Sequence, residues 1–166
     1  MVQLLRKIEN KAISHNGRNY SFTQLLQHSS RYASVFSKDM QPQKVLIFAE
    51  NSAEWIFALY GTLRSGAIAI PVDVQSTKSE VEYIVNDCRP DIVFTTPAKR
   101  EMFAEVLAKL DFACQVLTEQ DIPLDSIESE PAEDFEVSDV EKTMLIIYTS
   151  GTTGSPKGVM LSYKNV

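Results

Sequence analysis

Two cysteines, two histidines and one tryptophan in 166 residues leave little material for several common chemistries. Cys88 and Cys114 stand apart, without metal-ligand or redox spacing. They are expected to be reduced, partly buried thiols of a cytoplasmic protein rather than a disulfide framework or a zinc knot. His15 and His28 alone argue against a zinc site or a histidine-based triad within the chain. No apolar run approaches the ~20 residues that a membrane-spanning helix needs. The opening MVQLLRKIENK has neither the apolar stretch nor the small-residue cleavage site of a signal peptide. A basic stripe with interleaved aromatics is also missing, which excludes the usual nucleic-acid footprint.

Basic residues are absent from one long stretch altogether. Glu119 to Glu141 holds ten acidic residues and no lysine or arginine, so the net charge of −6 is local. The remainder has 16 basic against 12 acidic residues, a balance of +4. With Pro123 and Pro131 inside it, this stretch reads as a solvated connection, or else as an acidic docking surface. What is present otherwise is ordinary. A composition 44% hydrophobic and 23% charged suits one domain with a real core.

Periodicity organises that domain. KAISH and RNYSF flank Asn16-Gly17, a pair that favours a tight hairpin turn because both positions tolerate positive φ. Ser21 with Gln24 predicts a capping box, and the apolar spacing that follows predicts a helix to about Lys38. KVLIFAE (44–50) reads as a buried strand. Asn51 with Glu54 reads as the next helix start, the helix running to Gly66, and AIAIPV (67–72) as another strand. Strand, helix and strand in about 30 residues is a βαβ unit with parallel strands. A helix from Ser79 with Glu82, the strand DIVFTT, a helix over 98–110 and the strand ACQVLT continue the alternation. TMLIIY (143–148) supplies a last strand. The fold class is therefore α/β, an open, mostly parallel sheet with flanking helices. In the second helix, Trp55 and Tyr60 are assigned to packing and Glu54 to capping. Asp73, just past a strand end, is assigned to the loop that follows.

The last strand runs into YTSGTTGSPKGVML (148–161), which holds three of the six glycines. Gly151, Gly154 and Gly158 permit close backbone approach, so N–H groups can face an anion. Thr149, Ser150, Thr152, Thr153 and Ser155 add hydroxyls, Lys157 adds a mobile positive charge, and Pro156 stiffens the turn before it. The pattern is not a Walker A loop. Counting from Gly151, Pro156 stands where the second glycine belongs, and Gly158 where the metal-binding serine or threonine belongs. The residues leave two readings open, a phosphate-binding loop or a flexible surface linker.

YTSGTTGSPKG resembles the phosphate-binding signature of the adenylate-forming (AMP-binding) enzyme superfamily, position by position over eleven residues. NSAEWIFALYGTLRSGAIAIPVD resembles the family's early segment, and the likeness runs from about Lys11 to the last residue. Within the family the chain looks most like an acyl-CoA synthetase of the long-chain fatty acid–CoA ligase type. Peptide-synthetase adenylation domains and acyl–carrier-protein ligases remain as alternatives.

The resemblance implies activation of a carboxylate by Mg-ATP to an acyl-adenylate, followed by transfer to coenzyme A. It implies that Thr149, Ser150, Gly151, Thr152, Thr153, Gly154, Lys157 and Gly158 surround ATP's phosphates, with Thr149 near the magnesium. These are binding and electrostatic roles, with no catalytic nucleophile or base among them. Relatives carry their adenine, ribose and hinge motifs and a C-terminal lysine further downstream. Residues 1–166 are therefore expected to be the N-terminal part of the large domain, with its acidic connection at 119–141 and its loop at 148–158. Alone, such a part is expected to be inactive and, with sheet surface uncovered, prone to self-association. A stand-alone nucleotide-binding module is the other reading. Ser162 to Asn165 resembles the start of the following helix, with Tyr163 where relatives usually carry histidine.

Overall fold

A computed structural model describes residues 2–5, 10–37, 43–123, 130, 132–149 and 156–165. Strands β2 (Lys11–His15) and β3 (Arg18–Ser21) form the expected hairpin, with Asn16 at φ 48° and Gly17 at φ 77° in its turn. Ser21 then caps α1 (Phe22–Phe36): its Oγ accepts from Gln24 N–H at 3.2 Å, and Gln24 Oε1 accepts from Ser21 N–H at 2.9 Å. That reciprocal bonding satisfies two donors that the helix leaves bare.

The centre is a six-stranded sheet in the order β10-β9-β5-β4-β6-β7. Its parallel strands are β4 (Lys44–Phe48), β5 (Ile68–Pro71), β6 (Ile92–Thr95), β7 (Gln115–Thr118) and β9 (Thr143–Thr149). Only β10 (Lys157–Ser162) runs antiparallel, against β9. Helices α1 and α2 (Ala53–Arg64) cover one face, where Leu26, Tyr32, Phe36, Phe57 and Phe94 are at most 2% exposed. Helices α3 (Lys78–Cys88) and α4 (Arg100–Leu107) cover the other, over Leu46, Phe48, Ile70 and Val93. Because both faces are buried, the inner strands read as continuous apolar runs rather than alternating ones. The entry to β4 is pinned from its neighbour: Asp91 Oδ2 accepts from Gln43 and Lys44 N–H, both at 2.9 Å. On the first face, α1 and α2 approach so closely that a Cβ on Gly61 would lie 2.5 Å from Tyr32 Cβ.

Several expectations shift. Helix α2 is capped by Ser52, whose Oγ accepts from Trp55 N–H at 3.1 Å, and not by Asn51. Helix α3 starts at the box Thr77/Glu80 instead of Ser79/Glu82. The sequence holds both boxes in overlap, and the earlier one adds two helical residues, of which Lys78 forms an ion pair with Glu105 of α4. The stretch predicted as helix over 98–110 is a 3-10 turn at Pro97–Lys99 followed by α4.

The acidic stretch is more than a connection. It contains a 3-10 turn (Glu119–Asp121) and strand β8 (Phe135–Val137), which pairs antiparallel with β1 (Val2–Leu5). Arg31 of α1 bonds Glu130 at 2.7 Å, and Arg64 of α2 donates to the Glu133 carbonyl at 3.1 Å. The acidic chain is thus tied to basic residues of the first face. Residues 162–165 form a turn, with Ser162 N–H and Oγ each 2.9 Å from Asn165 Oδ1. The free cysteines are as expected, Cys88 buried and Cys114 half-buried, and burial pushes both thiols up to about 12.

Candidate functional site

The glycine-rich stretch joins two strands, not a strand and a helix. TMLIIYT and KGVMLS are both β-forming runs, and they pair in register with Lys157 opposite Thr149 and Gly158 opposite Tyr148. Directly paired residues share a face and successive ones alternate. Thr149 and Lys157, both exposed, therefore stand side by side on the α1/α2 face at the hairpin's loop end. Tyr148 and Gly158 occupy the opposite face.

Gly158 has a packing reason of its own. A Cβ there would lie 2.9 Å from Ile146 Cγ2 and 3.2 Å from Tyr148 Cζ, so the tyrosine ring lies across the glycine. The Tyr148 hydroxyl donates to Asp87 of α3. Burial, reinforced by that carboxylate, raises the phenol above its ordinary range. This bond ties the loop end of the hairpin to the second helical face. Sequence reading missed it, because sixty-one positions separate the partners and neither stands in a motif. Ser150, Gly151, Thr152, Thr153 and Gly154 lie outside the described residues, as does Ser155.

Strand polarity places the hairpin loop among other chain ends. Since β4, β5 and β9 are parallel, Thr149 leaves the sheet at the same rim as Phe48 and Pro71. A cavity of about 470 Å³ opens at that rim, bounded by Glu50, Asn51, Trp55, Val72 and Asp73. Asp73 serves its loop as expected: Oδ1 accepts from Gln75 N–H at 2.9 Å, and its carbonyl accepts from Ser76 N–H at 2.9 Å. Trp55 packs half-buried against the core while bordering the cavity. Among the described residues no three His, Cys, Asp or Glu side chains gather as a metal site. No helix among them is long and apolar enough to cross a membrane.

The sheet is thus doubly wound, with a glycine- and threonine-rich sequence between β9 and β10 at its carboxyl rim. The model of the AMP-binding enzyme family matches residues 3–166, and the chain belongs to that family. Among solved structures it is similar to ATP-bound MatB from Rhodopseudomonas palustris, at 29% identity and a TM-score of 0.78. That likeness covers 95% of this chain and 32% of the other. Surfactin synthase subunit 1 of Bacillus subtilis is 33% identical over 164 residues, which are 95% of this chain and 4% of that protein. Malonate–CoA ligase of Arabidopsis thaliana is 25% identical over 178 residues, covering 93% and 29%. The chain thus spans less than a third of the length of these relatives.

Proposed function

We propose that the chain is the N-terminal part of an adenylate-forming acid–thiol ligase, and that residues 149–158 hold the phosphates of ATP. The observation that carries this reading is the hairpin, which sets Lys157 directly opposite Thr149 in register, at the two ends of a segment bearing the family's signature. Attack of a carboxylate on the α-phosphorus makes pyrophosphate the leaving group. Donors fixed around the β- and γ-phosphates stabilise charge that grows in the transition state. Lys157 serves as a point charge, suited to a mobile polyanion. Ser150, Gly151, Thr152, Thr153 and Gly154 supply backbone N–H groups and hydroxyls, and Gly158 supplies the room for Tyr148 on which the hairpin rests. Magnesium keeps most of its ligands from water and phosphate oxygens. On this reading the ion is carried in with the triphosphate and Thr149 lies near it.

The product of the whole enzyme is an acyl-CoA thioester made from a simple carboxylic acid. The malonate–CoA ligases among its relatives support this. The surfactin synthase likeness supports a second reading, adenylation for a peptide synthetase. On this proposal, these 166 residues bind nucleotide without turning it over. Calorimetric titration with Mg-ATP and with magnesium pyrophosphate tests the site. Saturable binding of both, weakened about tenfold or more in K157A, is the expected result. Equal affinity in K157A would remove the loop from the site. Pyrophosphate exchange by the chain alone would overturn its inactivity. Thioester formation with CoA, against transfer to a carrier protein, separates the two readings in the whole enzyme.

A further inference from the structure

Bordered by β3, α1 and α2 is a separate cavity of about 310 Å³. Its wall is aromatic. The His28 ring lies flat on Phe57, centroids 4.0 Å apart at 3°, and Tyr20 meets both edge-on at 5.7 and 5.3 Å. Tyr32, 1% exposed, closes the wall 6.0 Å from Phe57. His28 is neutral there, because burial lowers its imidazole to about 4. Its Nδ1 is buried without a hydrogen-bond partner, an unmet polar demand inside an otherwise packed wall. Two carboxylates, Glu54 and Glu119, line the same cavity and have no ion pair among the described residues. Both act on the Tyr32 phenol, raising it beyond what burial does. Among the described residues Arg18 is the one cation on the lining, and it is exposed.

Topology points to the same place independently. A neighbouring cavity of about 260 Å³ shares Glu54 and Glu119 and opens at Ala49, Phe94 and Thr96, the carboxyl ends of β4 and β6. There the connections part, β4 leading to α2 on one face and β6 to α4 on the other. In open α/β sheets, ligands bind where adjacent strands diverge in this way.

We infer that this cavity binds a small organic ammonium ion with an apolar body about the size of a phenyl ring. The aromatic wall takes the body and offers its rings to the cation. Glu54 and Glu119, both on the lining, neutralise the charge. The volume sits at the lower limit for small-molecule pockets. Two carboxylates against one exposed arginine exclude anions, nucleotide phosphates among them. The site is distinct from the ATP loop and does not depend on it.

The test is calorimetric and NMR titration of the chain with 2-phenylethylammonium, beside its anionic and neutral counterparts phenylacetate and 2-phenylethanol. The ammonium ion should bind saturably at one site and move the His28 ring resonances, while the counterparts bind far more weakly. E54Q and E119Q should each weaken it, and the double variant by at least about tenfold, whereas R18Q should bind as well or better. Failure of the ammonium to bind, equal binding of phenylacetate or phenylethanol, or affinity indifferent to both glutamates would overturn the proposal. The ligand series uses the unaltered chain, so it decides even if the double variant does not fold.

Discussion

The middle of the sheet and its β9–β10 edge are finished differently. Val45 to Phe48 and Ile92 to Thr95 are each at most 1% exposed, covered by helices on both sides. In the hairpin, Ile147, Val159 and Met160 are 37, 47 and 63% exposed. The middle is held by burial it supplies itself. The edge is held by strand pairing, by the Tyr148–Asp87 bond and by the closeness of Tyr148 to Gly158. Of the two regions, the edge, whose strands carry the two ends of the family's signature, is the less supported by core. Such a region is positioned by its neighbours and left open to a ligand or to further protein surface.

Mutations should separate the two regions cleanly. Truncating Phe94, which meets Tyr32 and Phe36 at the centre, should cost about 4 kcal/mol in urea denaturation. G61A should cost about 2–3 kcal/mol, because the new methyl meets Tyr32 Cβ and the α1 backbone, neither of which can yield. At the edge the expectation reverses. K157A should change stability by less than about 0.5 kcal/mol while weakening nucleotide binding about tenfold or more. A loss of both together would show that Lys157 supports the hairpin instead of a ligand.

Acid offers a milder probe of the first region. His28 has an ordinary value of 6.5 and a folded value of about 4, so between these the unfolded chain takes up a proton that the native one refuses. Stability should fall as pH drops through that window, and the His28 contribution should level off below it. Glu54 of α2 faces the ring and opposes the shift, and Arg18 of β3 adds to it. H28Q should flatten this part of the curve, read from urea midpoints at about pH 7 and about pH 5. Smallest of all should be the stability effect of V159S with M160S, within about 0.5 kcal/mol. If the open edge drives self-association, sedimentation should show less of it in that variant.

Much of this was legible in the residues. The Asn16-Gly17 turn, the Ser21/Gln24 box, the alternation of apolar strands with amphipathic helices and the reading of Asp73 all depend on neighbours within a few positions, and all appear as expected. The misplaced helix starts fell where two candidate caps lie within two positions of each other, at Asn51/Ser52 and Thr77/Ser79. Strand β8 was hidden because an acidic, proline-bearing stretch has no strand signature; its partner at Val2–Leu5 is remote in sequence.

By itself, the sequence determined the α/β class, the parallel core and the eleven-residue signature that marks the family, since local periodicity and spacing encode these. Only tertiary structure decided that the signature loop closes an antiparallel hairpin, that Thr149 and Lys157 share a face, and that Tyr148 reaches Asp87 across Gly158. It also gathered His28, Phe57, Glu54 and Glu119 around one cavity. Those are contacts between distant residues, fixed by strand order and by the packing of both helical layers, and no local pattern records them.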